Sequence, residues 1–275
     1  MSTLLPTVLL LIGCRFSVNL DMEMKLEVQI ATHGLNGMDM IDVGKYPRSS
    51  NVSYCVGWQH GTLSSKPRDD FEVMVNSARC LTENRNILIE AAGDDIVLFA
   101  DNDISYTSVG LKSVIDAFES HPEVGFICFK MGGVDKKYPS GQFFMNKPPK
   151  GYYTSSWEIA VRTCVLCHTG VRFDTRFGLG SRYICCEETV FIDRLIASGV
   201  NGMYLPIIIG SNDGGVTTGA DSIYRNEVNE AKGAALAVTR RWSGLARLLV
   251  RSVRNLSASE LIFGLKGYFS VILNV

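Results

Sequence analysis

The sequence predicts an α/β domain built on a mostly parallel central sheet flanked by helices, with an amphipathic helical segment at its C-terminus. Three observations carry this. Apolar runs bounded by turn signals recur along the first two thirds of the chain, and Ile96–Ala100 is apolar without interruption, the mark of a strand buried on both faces. Stretches of helical periodicity alternate with those runs in a β–α–β–α–β rhythm. The last forty or so residues place apolar and basic side chains on opposite faces of a helical wheel.

Residues 1–23 include the apolar stretch LLPTVLLLIGC, with no Lys or Arg before it and too few residues to span a bilayer. They read as an unstructured extension or an upstream start, with export as the alternative. Residues 24–235 form the expected α/β domain, and 236–275 the basic amphipathic segment. Leu26–Ala31 is the first strand, running into a Thr32-His33-Gly34 loop, and Asn51–Trp58 is the second. Thr82 is positioned to cap a helix carrying Ile87, Leu88 and Ala91, which Gly93 ends. Ile96–Ala100 follows as a strand. Val109–Glu119 is a helix with Val114, Ile115 and Phe118 inward, and Val124–Lys130 is again a strand. Met131–Gly151 breaks the rhythm with four glycines, three prolines and four lysines, which predicts a long functional surface loop. Trp157–Leu166 resumes strand-like or mixed structure, Glu187–Ser198 is a helix, Tyr204–Ile209 a strand, and Gly210–Gly219 a glycine-rich mobile loop. There is no internal repeat.

A formal net charge of -1 provides no bulk field for nucleic acid, which is excluded as a partner. The charge is unevenly spread: Arg240, Arg241, Arg247, Arg251, Arg254 and Lys266 face a single acid, Glu260, in the C-terminal segment. Eight cysteines in 275 residues do not make a disulfide scaffold and read as buried free thiols in a reducing compartment.

The Ile96–Ala100 strand leads into Asp101 and Asp103. Ligands collect at the carboxyl ends of strands in open α/β sheets. Two carboxylates one residue apart repel each other unless a cation lies nearby, and hard oxygen donors of this kind suit Mg²⁺ or Mn²⁺, with substrate phosphates completing the shell. The competing reading is an Asx-rich turn capping the helix that starts near Ser108.

The segment LTENRNILIEAAGDDIVLFADNDISY resembles the donor-binding segment of family-2 glycosyltransferases, which have the GT-A fold with a Rossmann-like nucleotide-binding half. Thr82, Arg85 and Asn86 match the helix motif; Gly93 and Asp94 match the turn; Asp101-Asn102-Asp103 match the Asp-x-Asp strand end. A second block, VRFDTRFGLGSRYICCEETVFIDRLIASG, carries an acidic pair, Glu187-Glu188, behind a glycine-rich approach. The resemblance covers roughly Met24 to Lys232, and the subgroup it is similar to makes bacterial cell-surface polysaccharides.

The resemblance implies a nucleotide-sugar donor and a glycan or polyprenyl-linked acceptor. It implies Mn²⁺ or Mg²⁺ on Asp103, with Asp101 holding the ribose or sharing the metal, and the nucleotide near Thr32. Arg85 either supports the pyrophosphate or pairs with a nearby acid. Glu188, with Glu187 second, is the expected general base for direct, inverting displacement, although two glutamates at a helix start also suit its dipole. The Gly210–Gly219 loop would close over the donor, with Asn212 or Asp213 as a further metal ligand.

Two positions depart from the pattern: Cys80 and Cys186 stand where glycine is usual, and cysteine at a position of positive φ would strain the site. The rival readings are a catalytically weakened relative that binds nucleotide or glycan, and an exported c-type haem protein carrying Cys164, Cys167 and His168 as Cys-x-x-Cys-His. No second Cys/His pair lies at zinc-ligand spacing.

In the tail, Trp242, Leu245, Ala246, Leu249, Val253 and Leu256 cluster opposite Arg240, Arg247, Arg251 and Arg254. This fits a helix lying peripherally on the inner face of the cytoplasmic membrane of a cytoplasmic protein, against the alternative of a helix packed on the domain with solvated arginines.

Overall fold

The computed structural model describes residues 23–39, 41–62, 67–212 and 223–273. The expectations for residues 1–22 and for most of the Gly210–Gly219 loop, including Asp213, lie outside the described residues.

One sheet organises the domain. Its strands are β1 (Leu26–His33), β2 (Val52–Gln59), β3 (Phe71–Asn76), β4 (Ile96–Asp101), β5 (Ile104–Tyr106), β6 (Phe126–Gly132), β7 (Phe143–Phe144), β8 (Ile159–Arg162) and β9 (Gly202–Asn212). They lie in the order β3-β2-β1-β4-β8-β6-β9-β5, with β7 also paired to β9. β4 alternates its side chains between two cores. Ile96, Leu98 and Ala100 join one core with Val28, Ile30, Val114 and Phe118. Val97 and Phe99 join the other with Phe126, Cys128, Phe191 and Leu195. All five residues before Asp101 are therefore buried, which is why the strand reads as an unbroken apolar run.

The sheet is mixed rather than mostly parallel. β1 pairs in parallel with β2 and β4, and β6 with β9, but β8 runs antiparallel between β4 and β6, and β5 and β7 run antiparallel to β9. The cause is the connection. The chain returns from β6 to β8 without a crossover helix, and such a return reverses strand direction. The Met131–Gly151 stretch is correspondingly less of a free surface loop than its composition predicts, because Phe143 and Phe144 pair with β9 and Lys136 is buried. β3, a half-exposed edge strand, is an element the apolar runs did not predict.

The helices are α1 (Leu81–Ala91), α2 (Ser108–Ser120), α3 (Thr163–Thr169), α4 (Glu187–Ala197), α5 (Arg225–Arg254) and α6 (Ala258–Ile272). Cys80, not Thr82, occupies the N-cap of α1; the Thr82 hydroxyl instead donates to Phe177 O at 2.9 Å. α5 breaks at Arg241 (φ 43°, ψ -127°) into two arms. Ala231, Ala234 and Ala235 of the first arm pack on Phe177, Tyr183 and Val190 beside α4, so the expected boundary at 235/236 falls inside a packed helix. α5 and α6 form a hairpin at very close approach: a Cβ on Gly233 would come within 1.9 Å of Gly264 O.

Of the cysteines described, Cys55, Cys80 and Cys128 are buried, Cys164, Cys185 and Cys186 are half-buried, and Cys167 is exposed; all are free.

Candidate active site

The two sequence blocks meet along one face of α1. Thr82, Arg85 and Asn86 are spaced three and four residues apart and so point the same way. Thr82 bonds Phe177 O. Asn86 donates to Phe173 O at 3.0 Å and accepts from Phe173 N at 2.8 Å. Arg85 reaches Glu187. The glycine-rich approach seats this contact. Gly178 (φ 101°) and Gly180 (φ 82°) both adopt backbone conformations that favour glycine, and Leu179 O between them accepts from Leu81 N at 2.9 Å.

Arg85 is the centre of the site. It is 1% exposed. Its Nη2 donates to Asp101 Oδ1 at 2.6 Å and Ser156 Oγ at 2.7 Å, and its Nη1 to Glu187 Oε1 at 3.2 Å. Burial alone would lower its pKa, but Asp101 and Glu187 outweigh that and hold it raised. The pairing with nearby acids expected for Arg85 is thus made with Asp101 and Glu187.

The acidic pair is divided by this geometry. Glu187 is buried and occupied by Arg85. Glu188 Oε2 is buried and has no hydrogen-bond partner among the described residues. Burial, then the neighbouring Glu187 charge, pushes the Glu188 carboxyl well above the usual carboxylate range, with Arg85 a smaller opposing influence. A carboxylate so raised is a stronger proton acceptor than an ordinary one.

At the strand tip, burial by the surrounding protein and the charge of Asp101 raise the carboxyl of Asp103, while a hydrogen bond from Asn212 and the charge of Lys45 oppose the shift. Asn212 is the last residue of β9, opposite Ile104 of β5. That pairing joins Asn212 to the Asp-x-Asp turn from more than a hundred residues away in sequence. Thr32, at the end of β1, is buried; its hydroxyl donates to Gly37 O at 2.9 Å and accepts from Asn102 Nδ2 at 3.0 Å. Its hydroxyl thus braces the Asn102 side chain and the Gly34–Gly37 turn.

Three neighbours were not found by sequence reasoning. Tyr46 is 1% exposed, its hydroxyl lacks a partner among the described residues, and the charges of Asp103 and Asp101 add to burial in raising its pKa. Lys45 precedes it. Neither carries a motif, and only folding brings the Val43–Lys45 turn against β5. Ser156 is the third, and a capping box signals it locally, with Ser155 and Glu158 as its ends. Glu158 is fully buried and takes Lys136 Nζ at 2.8 and 2.6 Å, Tyr138 OH at 2.5 Å, Thr154 Oγ1 at 2.9 Å and Ser155 N at 3.0 Å. This knot fixes the turn from which Ser156 meets Arg85.

Among the described residues no group of three or more His, Cys, Asp or Glu is arranged to hold a metal ion. Asp101 and Asp103 together supply the one or two carboxylates typical of a Mg²⁺ or Mn²⁺ site completed by substrate phosphates. Burial first and the charge of Asp101 second raise the Asp103 carboxyl, and a cation held between the two carboxylates would offset both. The donor set therefore fits such an ion, with Asp103 the freer ligand because Asp101 Oδ1 is taken by Arg85.

The departures from the glycine pattern separate. Cys80 is extended (φ -148°) and unstrained, whereas Cys186 sits at the N-cap of α4 in the left-handed region (φ 79°, ψ 11°). Cys164 and Cys167 lie one turn apart on α3, directly after β8 of the central sheet.

No family model matches the sequence, and no curated protein does. Solved structures are similar in fold. Staphylococcus aureus TarS 1–349 in complex with UDP superposes with a TM-score of 0.56 at 15% identity over 92% of each chain. The mannosyltransferase PcManGT from Pyrobaculum calidifontis, in complex with GDP-Man and Mn²⁺, gives 0.57 at 13% identity over 93% of this chain and 77% of that one. Against the longer TarS structure the TM-score is 0.54 at 15% identity, and the match covers 90% of this chain and 55% of that chain. The chain shares its fold with these proteins.

Proposed function

We propose that this chain is a metal-dependent, inverting glycosyltransferase that moves a sugar from a nucleotide-sugar donor to a glycan or polyprenyl-linked acceptor in cell-surface polysaccharide synthesis. The observation that carries the reading is the pairing of roles around Arg85: a carboxylate strand tip on one side, and on the other an acidic pair in which Glu187 bonds Arg85 while Glu188 keeps a buried Oε2 without a hydrogen-bond partner among the described residues and a raised carboxyl. The fold-likeness to proteins solved with UDP and with GDP-Man and Mn²⁺ supports it.

In this reading Glu188 Oε2 takes the proton from the acceptor hydroxyl as that oxygen attacks the anomeric carbon, and the donor's C–O bond to the diphosphate breaks on the opposite side. Glu187 is set apart from that role by its bond to Arg85. Asp103 and Asp101 would hold Mn²⁺ or Mg²⁺, which supplies Lewis-acid neutralisation of the departing diphosphate. Thr32 and Asn102 shape the wall next to the nucleotide. A polyprenyl-linked acceptor sets the reaction at the inner face of the cytoplasmic membrane.

A second reading has one observation in its favour. Cys186, left-handed immediately before the acidic pair, is the strain expected of a relative that binds nucleotide or glycan without turnover.

One experiment distinguishes them. Thermal-shift screening of nucleoside diphosphates with and without Mn²⁺ identifies the donor nucleotide, and hydrolysis of the matching nucleotide sugar by the wild type and by Glu188→Gln follows. Metal-dependent stabilisation together with hydrolysis lost in Glu188→Gln supports the enzyme. Stabilisation without hydrolysis supports the binder, and no stabilisation by any nucleotide refutes both.

A further inference from the structure

We propose that the outward face of the second arm of α5 docks on a bilayer carrying anionic lipid. The arm divides into three sectors at 3.6 residues per turn. Gly244, Leu248 and Ser252 form the buried sector, with Leu248 packed against Gly264 of α6. Trp242, Leu249, Val250 and Val253 form a second, and they are 70%, 42%, 68% and 71% exposed. Arg247, Arg251 and Arg254 form the third. The arm thus carries two apolar stripes: Leu248, with Leu245 packed beside it, fills the seam between Gly244 and Ser252, while Trp242, Leu249, Val250 and Val253 face out beside a row of cations.

That combination selects the occupant. Arg247 and Arg254 are exposed and form no ion pair among the described residues, while Arg251 pairs with Glu260. Ala246, Arg247, Val250, Arg251 and Arg254 line an open hollow of about 320 Å³ whose wall is mainly apolar, so it takes lipid carbon while the arginine row beside it meets the headgroups. Anionic headgroups attract such a row, and the interface takes up the valines and tryptophan. A second copy seated here by two-fold symmetry would set the same patch, arginines included, against itself. No helix among the described residues is long and apolar enough to cross a membrane, so this contact lies on the surface. The first arm of α5 packs on the α4 region, and α4 opens with the acidic pair. Docking would therefore hold Glu188 at a fixed height above the lipid. The surface stands independently of the donor chemistry.

The full chain provides its own reporter. Trp58 and Trp157 are 6% and 4% exposed against 70% for Trp242, so an emission blue-shift on adding vesicles reports Trp242. Vesicles of phosphatidylcholine with phosphatidylglycerol should sediment the protein and shift its emission; phosphatidylcholine alone should do neither. Arg247→Glu/Arg254→Glu should weaken partitioning by on the order of thirty-fold, and Val250→Ser/Val253→Ser by on the order of tenfold or more. Both variants should retain the wild-type melting temperature and nucleotide-dependent thermal shift, which separates failure here from failure of the glycosyltransferase reading. Absence of vesicle binding by the wild type overturns the proposal. So does binding that neither double variant weakens, or a dimer, seen by light scattering, that Val250→Ser/Val253→Ser dissolves.

Discussion

Asp101 and Glu187, 86 positions apart in sequence, are bound by opposite terminal nitrogens of the same buried guanidinium, at 2.6 and 3.2 Å. Removing that cation leaves a buried Glu187 and a half-buried Asp101 without their shared partner. Arg85→Met should cost about 3–5 kcal/mol, the range for breaking a buried ion pair from one side, read as a fall in the denaturant midpoint. Arg85→Lys keeps the charge but loses the fork that reaches Asp101, Ser156 and Glu187 together. It should keep more stability than Arg85→Met while still impairing turnover. Equal stability of Arg85→Met and wild type would contradict the geometry.

The state of Glu188 sets a pH dependence. Its carboxyl is raised by burial and by the Glu187 charge, so the acid limb of the pH–rate profile should lie above the ordinary carboxylate range. Glu187→Gln removes the second cause and should move that limb to lower pH, a shift measurable in donor hydrolysis as well as transfer. The stability effect has the opposite slope to a typical salt-bridged acid. A folded pKa above the unfolded one means the native state binds the proton more tightly, so this contribution is present below the unfolded value and is lost as pH rises through the folded one. Glu188→Gln should flatten that decline in a pH series of melting temperatures.

Asp103→Ala tests the strand tip without relying on turnover. The substitution should abolish Mn²⁺-dependent thermal stabilisation by the donor nucleotide and lower kcat/KM by about 10²–10³. The melting temperature of the metal-free protein should hold or rise, since Asp103 and Asp101 repel when no cation is present.

Cys186→Gly tests backbone strain at the start of α4. A non-glycine residue in the left-handed region costs about 1–2 kcal/mol, partly offset by the entropy glycine loses on folding. A net gain of about 0.5–1 kcal/mol is expected, and Cys186→Ala should show no such gain because it keeps the φ of 79°. If Cys186→Gly also raises the rate of donor hydrolysis, strain at this position limits catalysis.

Much of this was legible in the chain. The central strands showed as apolar runs because burial on both faces leaves no polar alternation, and Asp101 and Asp103 stood out because charge ends such a run abruptly. Direction was not legible: nothing in Ile159–Arg162 records that it runs antiparallel, since that follows from the connection preceding it. Nor was the division of labour between Glu187 and Glu188, which depends on an arginine a hundred positions upstream. In the tail, periodicity placed Trp242, Leu249 and Val253 on the face that is exposed, but it also placed Leu245 there, which packs with Leu248 in the seam; Gly244 and Ser252, which complete that seam, carry little hydrophobic signal.

The Glu158 carboxylate anchors both ends of one long excursion: Lys136 and Tyr138 where it leaves β6, Thr154 and Ser155 where it returns to β8. Between them, Asn146–Lys150 is fully exposed. Lengthening or shortening that stretch would change the closure entropy only slightly and leave both moorings intact. The chain can thus remodel this exposed excursion while Ser156, and the guanidinium it steadies, stays still.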